Sequence, residues 1–284
     1  MKPLVSIIIS TCNRVDYLKK AINSALWQTY KDIELIIVDN GSTDGTFEFI
    51  SELIKKDSRI KFIDNKSHPF SRGGASNKGI NFAAGKYIAR LDDDDYWADQ
   101  KKIEKQISFL ENHLDYVLVG GGMIGIDKSG KELFRRFDPE KDEDIRRIII
   151  FDNFFPHGTV VFRKEACEKV GRYKEHSNEP LFPEDWDLWL KLGRVGKFYN
   201  FQEYFLYYLR AGQNTFRQNS IQNLIINNRI RKKYRKDYPG YRKAFLLGWL
   251  SYFYSFLPFR EKFRSIFSEL RMKIFGLPNS RISS

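Results

Sequence analysis

The stretch ARLDDDDYW, residues 89–97, sets four carboxylates, Asp92, Asp93, Asp94 and Asp95, at the end of an apolar run. Like charges this close oppose one another's ionisation unless a cation, a helix N-terminus or water compensates them. In an extended segment side chains alternate, so Asp92 and Asp94 face one way while Asp93 and Asp95 face the other. Asp95 is placed to cap a helix starting near Trp97, because ADQKKIEKQISFL has helical spacing and the positive end of a helix favours carboxylates. A calcium loop does not fit, since Trp97 occupies the sixth position, where the sharp turn needs glycine. Oxygen donors without His or Cys suit a hard cation, Mg2+ or Mn2+, held by one or two carboxylates together with substrate phosphates.

The elements that must position this cluster follow from periodicity. LVSIII (4–9), IELIIV (33–38), RIKFI (59–63) and KYIARL (86–91) read as strands, and the segments between them carry helical spacing, with Leu18, Ile22, Ala25 and Leu26 on one face. Strand alternating with helix predicts an α/β fold with a doubly wound, mostly parallel sheet flanked by helices. Ligands bind such sheets beyond the carboxyl ends of the strands. Four strand ends bring Thr11, Asn13, Arg14, Asp39, Asp64 and the aspartate quartet to one rim, which is where a nucleotide-sized ligand belongs. Further on, YVLVGGGMIGID (116–127), TVVFRKEA (159–166) and YFLYYL (204–209) read as strands, and PEDWDLWLKLG (183–193) as a helix with Glu184 and Asp185 in its first turn.

Phosphate-binding loops of the GxGxxG and GxxxxGK[ST] types are missing, which leaves the cation to handle a diphosphate. Cys12 and Cys167 form neither a disulfide framework nor a zinc motif, which suits a reducing, cytoplasmic setting. MKPLVSIIIS reads as a first strand, not as a secretory leader.

VSIIISTCNR, IELIIVDNGSTDGT, NKGINFAAGKYIARLDDDD and PEDWDLWLKL occur in the order and approximate spacing of the family 2 inverting glycosyltransferases, and residues 3–215 resemble that family. The resemblance implies a GT-A fold and a metal-dependent transfer, using Mn2+ or Mg2+, from a nucleoside-diphosphate sugar to a hydroxyl of a glycan or lipid-linked acceptor. UDP is the default nucleotide, on family habit. It implies further that Thr11 and Arg14 contact the nucleoside, that Asp39 accepts from the base, that Asp92 lies near ribose and metal, and that Asp94 ligates the metal. Asn13 and Asp93 stand beside them as nucleotide-sugar contacts, and Arg72 and Asn77 match positions close to the nucleotide. The acidic pair of the family falls on Glu184 and Asp185, with Asp185 the general base. Cys12 and Asn40 depart from the frequent aromatic and second aspartate, and RAGQNT lacks the frequent histidine after the last strand. His157 and Arg210 are candidate contacts for the diphosphate or acceptor.

From Phe216 onward the chain holds 15 Lys and Arg against 3 Asp and Glu, so the whole net charge of +12 sits in residues 216–284. These form a basic helical extension to the catalytic domain of residues 1–215. AFLLGWLSYFYSFLPF (244–259) is shorter than a spanning helix. FREKFRSIFSELRMKIF (259–275) puts Phe263, Ile266, Phe267, Leu270 and Ile274 on one face, a pattern that lies on an anionic membrane or packs on protein. Charge concentration favours the membrane, which would place the protein peripherally on the inner face of the cell membrane. Two rivals remain. A nucleotide-sugar-forming nucleotidyltransferase usually has a glycine-rich N-terminal loop, and STCNR has none. A nucleic-acid-binding protein would use RIRKKYRKDY (229–238), where aromatics interleave with cations.

Overall fold

The structure is a computed structural model that describes residues 2–66, 72–175, 182–210, 221–254 and 256 of the 284-residue chain. Strands β1 (Val5–Thr11), β2 (Ile33–Asp39), β3 (Ile60–Asp64) and β4 (Tyr87–Arg90) run parallel in the order β3-β2-β1-β4. Helices α1 (Val15–Leu26), α2 (Thr46–Lys56) and α3 (Arg72–Phe82) connect them. The register sets Thr11 opposite Asp39 and Asp39 opposite Asp64, so the carboxyl ends finish level. β1 and β2 are apolar almost throughout because helices cover both faces. Ile7 and Ile9 pack with Leu18 and Ile22 of α1, whereas Ile8 packs with Ile80 of α3 on the opposite face.

The second half adds β5 (Tyr96–Trp97), α4 (Lys102–Asn112), β6 (Tyr116–Ile126), β7 (Glu132–Arg136), α5 (Asp142–Ile148), β8 (Val161–Arg163), α6 (Lys164–Lys169), α7 (Glu184–Leu192) and β9 (Lys197–Leu209). They extend the sheet to nine strands in the order β3-β2-β1-β4-β8-β6-β9-β5, with β7 on the far part of β6. β8 is antiparallel to β4 and β6, while β9 returns parallel to β6. Gly121 and Gly122 in β6 leave the space that the rings of Phe205 and Phe137 fill. The helix expected from near Trp97 starts at Lys102 instead, because Tyr96 and Trp97 are drawn onto β9 as a short edge strand.

Among the described residues two helices follow, α8 (Ile221–Lys233) and α9 (Tyr241–Tyr254). Ile226, Ile230, Tyr234 and Tyr238 join Trp186, Leu190 and Phe198 in one core cluster. Asp187 of α7, fully buried, receives Lys233 Nζ at 2.8 Å and the Tyr234 hydroxyl at 2.8 Å. Tyr234 and Tyr238 are 1% and 3% exposed, so the aromatics of RIRKKYRKDY are core side chains and cannot stack on bases. That corrects the nucleic-acid alternative. Among the described residues no helix is long and apolar enough to cross a membrane, and the amphipathic segment 259–275 lies outside them.

Candidate active site

The rim begins with two laced loops after β1 and β2. Buried Asp39 uses Oδ1 to accept from the Ser42 amide at 3.0 Å and its hydroxyl at 2.5 Å, so Oδ2 has no protein partner among the described residues. Ser42 Oγ in turn accepts from the Asn13 amide at 2.9 Å, and Asn13 Oδ1 accepts from the Thr43 amide at 2.7 Å. Asn13 adopts φ +54, a left-handed conformation that asparagine tolerates better than most residues. Asp44 reaches across to accept from the Val15 amide at 2.9 Å, satisfying an orphan donor at the start of α1.

The quartet follows β4 as a turn closed by Asp95 N–H donating to the Asp92 carbonyl at 3.2 Å, not as an extended segment. Burial still alternates: Asp93 and Asp95 are buried, Asp92 and Asp94 half-buried. Thr11 Oγ1 donates to Asp93 Oδ2 at 2.8 Å. Arg14 Nη1 bridges Asp93 Oδ1 at 3.1 Å and Asp94 Oδ2 at 2.8 Å, and so neutralises part of the cluster. Asp95 is not a helix cap. Its Oδ1 accepts from the Leu209 amide at 2.9 Å and ties the quartet to the end of β9, while Asp99 serves the Lys101 amide near the start of α4. Burial pushes the Asp93 carboxyl up to about 6 in spite of Arg14. Burial and then Asp92 raise Asp94, and burial and its neighbours raise Asp95 further. A positive charge arriving at Asp92 and Asp94 would relieve that repulsion.

On the other side of the quartet, Asp92 Oδ1 lies 3.1 Å from His157 Nδ1. Nε2 of the same ring lies 3.3 Å from Arg90 Nε and 3.0 Å from the Tyr173 hydroxyl. Arg90 can only donate, so Nε2 accepts and the ring proton sits on Nδ1, facing Asp92. Arg90 is 2% exposed and its Nη1 has no hydrogen-bond partner among the described residues. Asn77 is spent on the Tyr173 segment: its Nδ2 donates to the Tyr173 carbonyl at 2.9 Å and to Glu175 Oε1 at 2.8 Å, and its Oδ1 accepts from the Tyr173 amide at 3.1 Å. It therefore positions Tyr173. Burial raises the Tyr173 hydroxyl well above its ordinary range, and the ring of Trp189, one turn after Asp185 in α7, lies 6.0 Å from the His157 ring and 6.3 Å from the Tyr173 ring, which puts the start of α7 on this flank.

Glu184 and Asp185 open α7 after Pro183. Asp185 Oδ2 accepts from Asn153 Nδ2 at 2.7 Å and Oδ1 from the Trp186 amide at 2.7 Å. Asn153 is itself held, its carbonyl accepting from Arg136 Nη2 at 3.0 Å. Arg210 directly follows Leu209, its amide donates to the Ile126 carbonyl at 2.8 Å, and its guanidinium has no polar partner among the described residues. Arg72 opens α3, and its side chain, like segment 211–220, lies outside the described residues. The structure thus brings Thr11, Arg14, Asp39 and the quartet to one rim, with His157 against it and Asp185 and Glu184 beyond Tyr173. Sequence reasoning missed Arg90, Asn153 and Tyr173. Only Arg90, two residues before the quartet, carried a local signal.

Among the described residues no three metal-binding side chains converge on one point. Asp92 and Asp94 nonetheless fit a hard cation that completes its shell with substrate phosphates: both are partly open oxygen donors, and their mutual repulsion raises Asp94.

A parallel sheet whose strand ends carry a nucleotide-sized rim and an aspartate cluster, extended by a mixed second half, is the GT-A fold of nucleotide-sugar-dependent glycosyltransferases. Residues 6–171 match the family model described as glycosyl transferase family 2, and the chain belongs to that family. It is 37% identical over 228 residues to the putative glycosyltransferase EpsE of Bacillus subtilis, covering 79% of each chain. It is 48% identical over 108 residues to WfaP of Escherichia coli, a UDP-Glc:alpha-D-GlcNAc-diphosphoundecaprenol beta-1,3-glucosyltransferase, covering 38% of this chain and 41% of that one. The mannosyltransferase PcManGT from Pyrobaculum calidifontis, solved with GDP-Man and Mn2+, superimposes with a TM-score of 0.61 at 14% identity, over 98% of this chain and 78% of its own.

Proposed function

We propose that this glycosyltransferase moves a sugar from a nucleoside-diphosphate sugar, with UDP as the nucleotide, to a hydroxyl of a lipid-linked or growing surface glycan. The reading rests on one observation above others: Asp92 and Asp94 stand half-open on one rim, with helix α7, which opens on Glu184 and Asp185, packed against His157 and Tyr173. Asp39, with Oδ2 unengaged, accepts from the base, and Thr11, Asn13 and Arg14 shape the nucleoside side of the rim. Asp94, with Asp92, holds Mn2+ or Mg2+, which supplies positive charge for the departing diphosphate.

Inversion is a property of this family, and one carboxylate suffices for it. Asp185 takes the proton of the acceptor hydroxyl as that oxygen bonds to the anomeric carbon. The bond from that carbon to the diphosphate breaks on the opposite face, and its electron pair leaves with the nucleoside diphosphate. Asn153 and the Trp186 amide orient the Asp185 carboxylate. His157 keeps Asp92 turned toward the rim, and Arg210 is placed to meet the leaving group or acceptor. A lipid-linked acceptor requires work at a membrane surface, which the C-terminal region reaches from the cytoplasmic side. WfaP, whose name specifies a diphosphoundecaprenol-linked acceptor and UDP-Glc, supports both donor and acceptor class. Calorimetry of uridine, guanosine and thymidine diphosphates, each with and without Mn2+, tests the reading. Metal-dependent binding of one nucleotide, lost in Asp94→Asn, is expected; no binding of any of them overturns it.

A further inference from the structure

Beyond Lys243, helix α9 is apolar on all sides except at Ser251. Ala244 and Leu247 are buried against the domain, while Phe245, Leu246, Leu250 and Phe253 point outward with 40%, 54%, 44% and 61% of their surface exposed. Phe256, one turn on, is 65% exposed. A continuous apolar ridge of this kind on a domain surface calls for a cover on its outer side. Its 14 residues extend about 21 Å, short of the ~30 Å hydrocarbon layer, so the cover is met lengthwise.

Beside this ridge, at the turn between α8 and α9, a shallow basin of about 480 Å³ is lined by Arg235, Lys236, Arg242 and Lys243. None of the four pairs with a carboxylate among the described residues. Among the described residues Arg235 donates only to the Lys232 carbonyl at 2.7 Å, and the nearby Asp237 is taken by Arg194 at 3.3 Å. Uncompensated cations flanking an apolar ridge match the two layers of a membrane surface, phosphate headgroups and the acyl boundary beneath them. A second copy of this chain is the poorer complement, because a two-fold contact through this face repeats the same cationic patch on both sides of the interface.

We propose that the outer face of α9 and the adjoining basin dock on an anionic phospholipid bilayer, the four cations on headgroup phosphates and the aromatic ridge in the acyl boundary. This rests on the membrane-surface reading above and names the surface that carries it. The assignment does not need segment 259–275.

The test is flotation of the full chain with phosphatidylcholine vesicles, with and without phosphatidylglycerol, alongside nucleotide calorimetry on the same preparations. The wild type is expected to float only with phosphatidylglycerol. The variant Arg235→Gln/Lys236→Gln/Arg242→Gln/Lys243→Gln is expected to lose at least about 100-fold in partitioning. Leu246→Ser/Leu250→Ser/Phe253→Ser, confined to exposed positions, should lose binding too while nucleotide affinity holds. Indifference of the wild type to anionic vesicles, equal binding to neutral ones, or flotation unchanged by both variants overturns the proposal. So does a dimer that the apolar-face variant dissociates. Vesicle binding without nucleotide binding leaves this surface standing and removes the catalytic reading instead.

Discussion

Asp138→Asn separates a pH-dependent cost from a pH-independent one. Asp138 lies two residues beyond β7 with 3% of its side chain exposed, its Oδ1 accepting from Arg136 Nε at 2.9 Å and its Oδ2 without a hydrogen-bond partner among the described residues. Burial outweighs the Arg136 attraction and pushes the carboxyl from 3.8 up to about 6. A gap of roughly two units corresponds to about 3 kcal/mol. The sign follows from proton binding. Below the unfolded value both states hold the proton and the carboxyl costs nothing. As pH rises toward the folded value the unfolded chain releases its proton first, and the folded state loses stability until both are ionised. Asparagine cannot ionise, so it removes this loss. Its new N–H, buried where Oδ2 had no partner, costs about 1–3 kcal/mol, but at every pH alike. The stability change on substitution should therefore be about 2–3 kcal/mol more favourable at about pH 7 than at about pH 4. Urea unfolding followed by tryptophan fluorescence at the two pH values measures it. Equal changes at both would refute the reasoning. Because Arg136 also holds the Asn153 that orients Asp185, kcat near neutrality should fall about fivefold, the equivalent of about 1 kcal/mol.

Asp187 carries the opposite sign. Burial raises its carboxyl, but Lys233, Lys191 and Tyr234 outweigh that and hold it below the ordinary value, so it stabilises above the unfolded value and the benefit is lost as pH falls through the folded one. Asp187→Asn should cost about 3–5 kcal/mol near neutrality and progressively less in acid, read by the same unfolding assay. Gly193→Ala sets a Cβ into the Tyr238 hydroxyl and the Phe198 ring, which should cost about 1–3 kcal/mol and expose α8 to limited proteolysis. His157→Asn removes the ring that faces Asp92, and loss of a hydrogen bond to a charged group, about 1.5–3 kcal/mol, should lower kcat/KM about 10- to 100-fold. An unchanged value would make His157 purely structural.

The rim was legible because alternating strands and helices force parallel strand ends to one side, and register does the rest: Thr11, Asp39 and Asp64 stand level. Residues that reach the site across long sequence separations were not. Arg90 and His157 are 67 residues apart, Asn153 and Asp185 32 apart, and no local pattern joins them. Asp95 looked like a cap because the partner that claims it, the Leu209 amide, arrives 114 residues later. Asn77 lies in the expected segment, yet Tyr173 and Glu175 consume its carboxamide. In the basic tail the misleading feature was composition. Tyr234 and Tyr238 interleave with cations, but with Ile226 and Ile230 they recur every four residues, the period of one helix face, and that face is core.

Helix α7 joins the two halves of the functional proposal. Its first turn carries Glu184 and Asp185 on the site flank, and two residues later Asp187 anchors Lys233 and Tyr234 of the following helical region. Tyr238 is fixed to the same helix through its hydroxyl, which donates to the Leu190 carbonyl at 2.8 Å. The turn that bears the cationic basin begins at Arg235, between those two tyrosines. A bilayer contact at the basin, as proposed, would therefore be transmitted to the acidic pair through helix α7 and two buried tyrosines. The height of Asp185 above the headgroups would then be set by the fold. A flexible insertion between Tyr238 and Tyr241 should leave nucleotide binding and transfer to a soluble acceptor unchanged while slowing transfer to an acceptor embedded in vesicles. Equal slowing of both would show that α9 supports the catalytic domain and does not orient it.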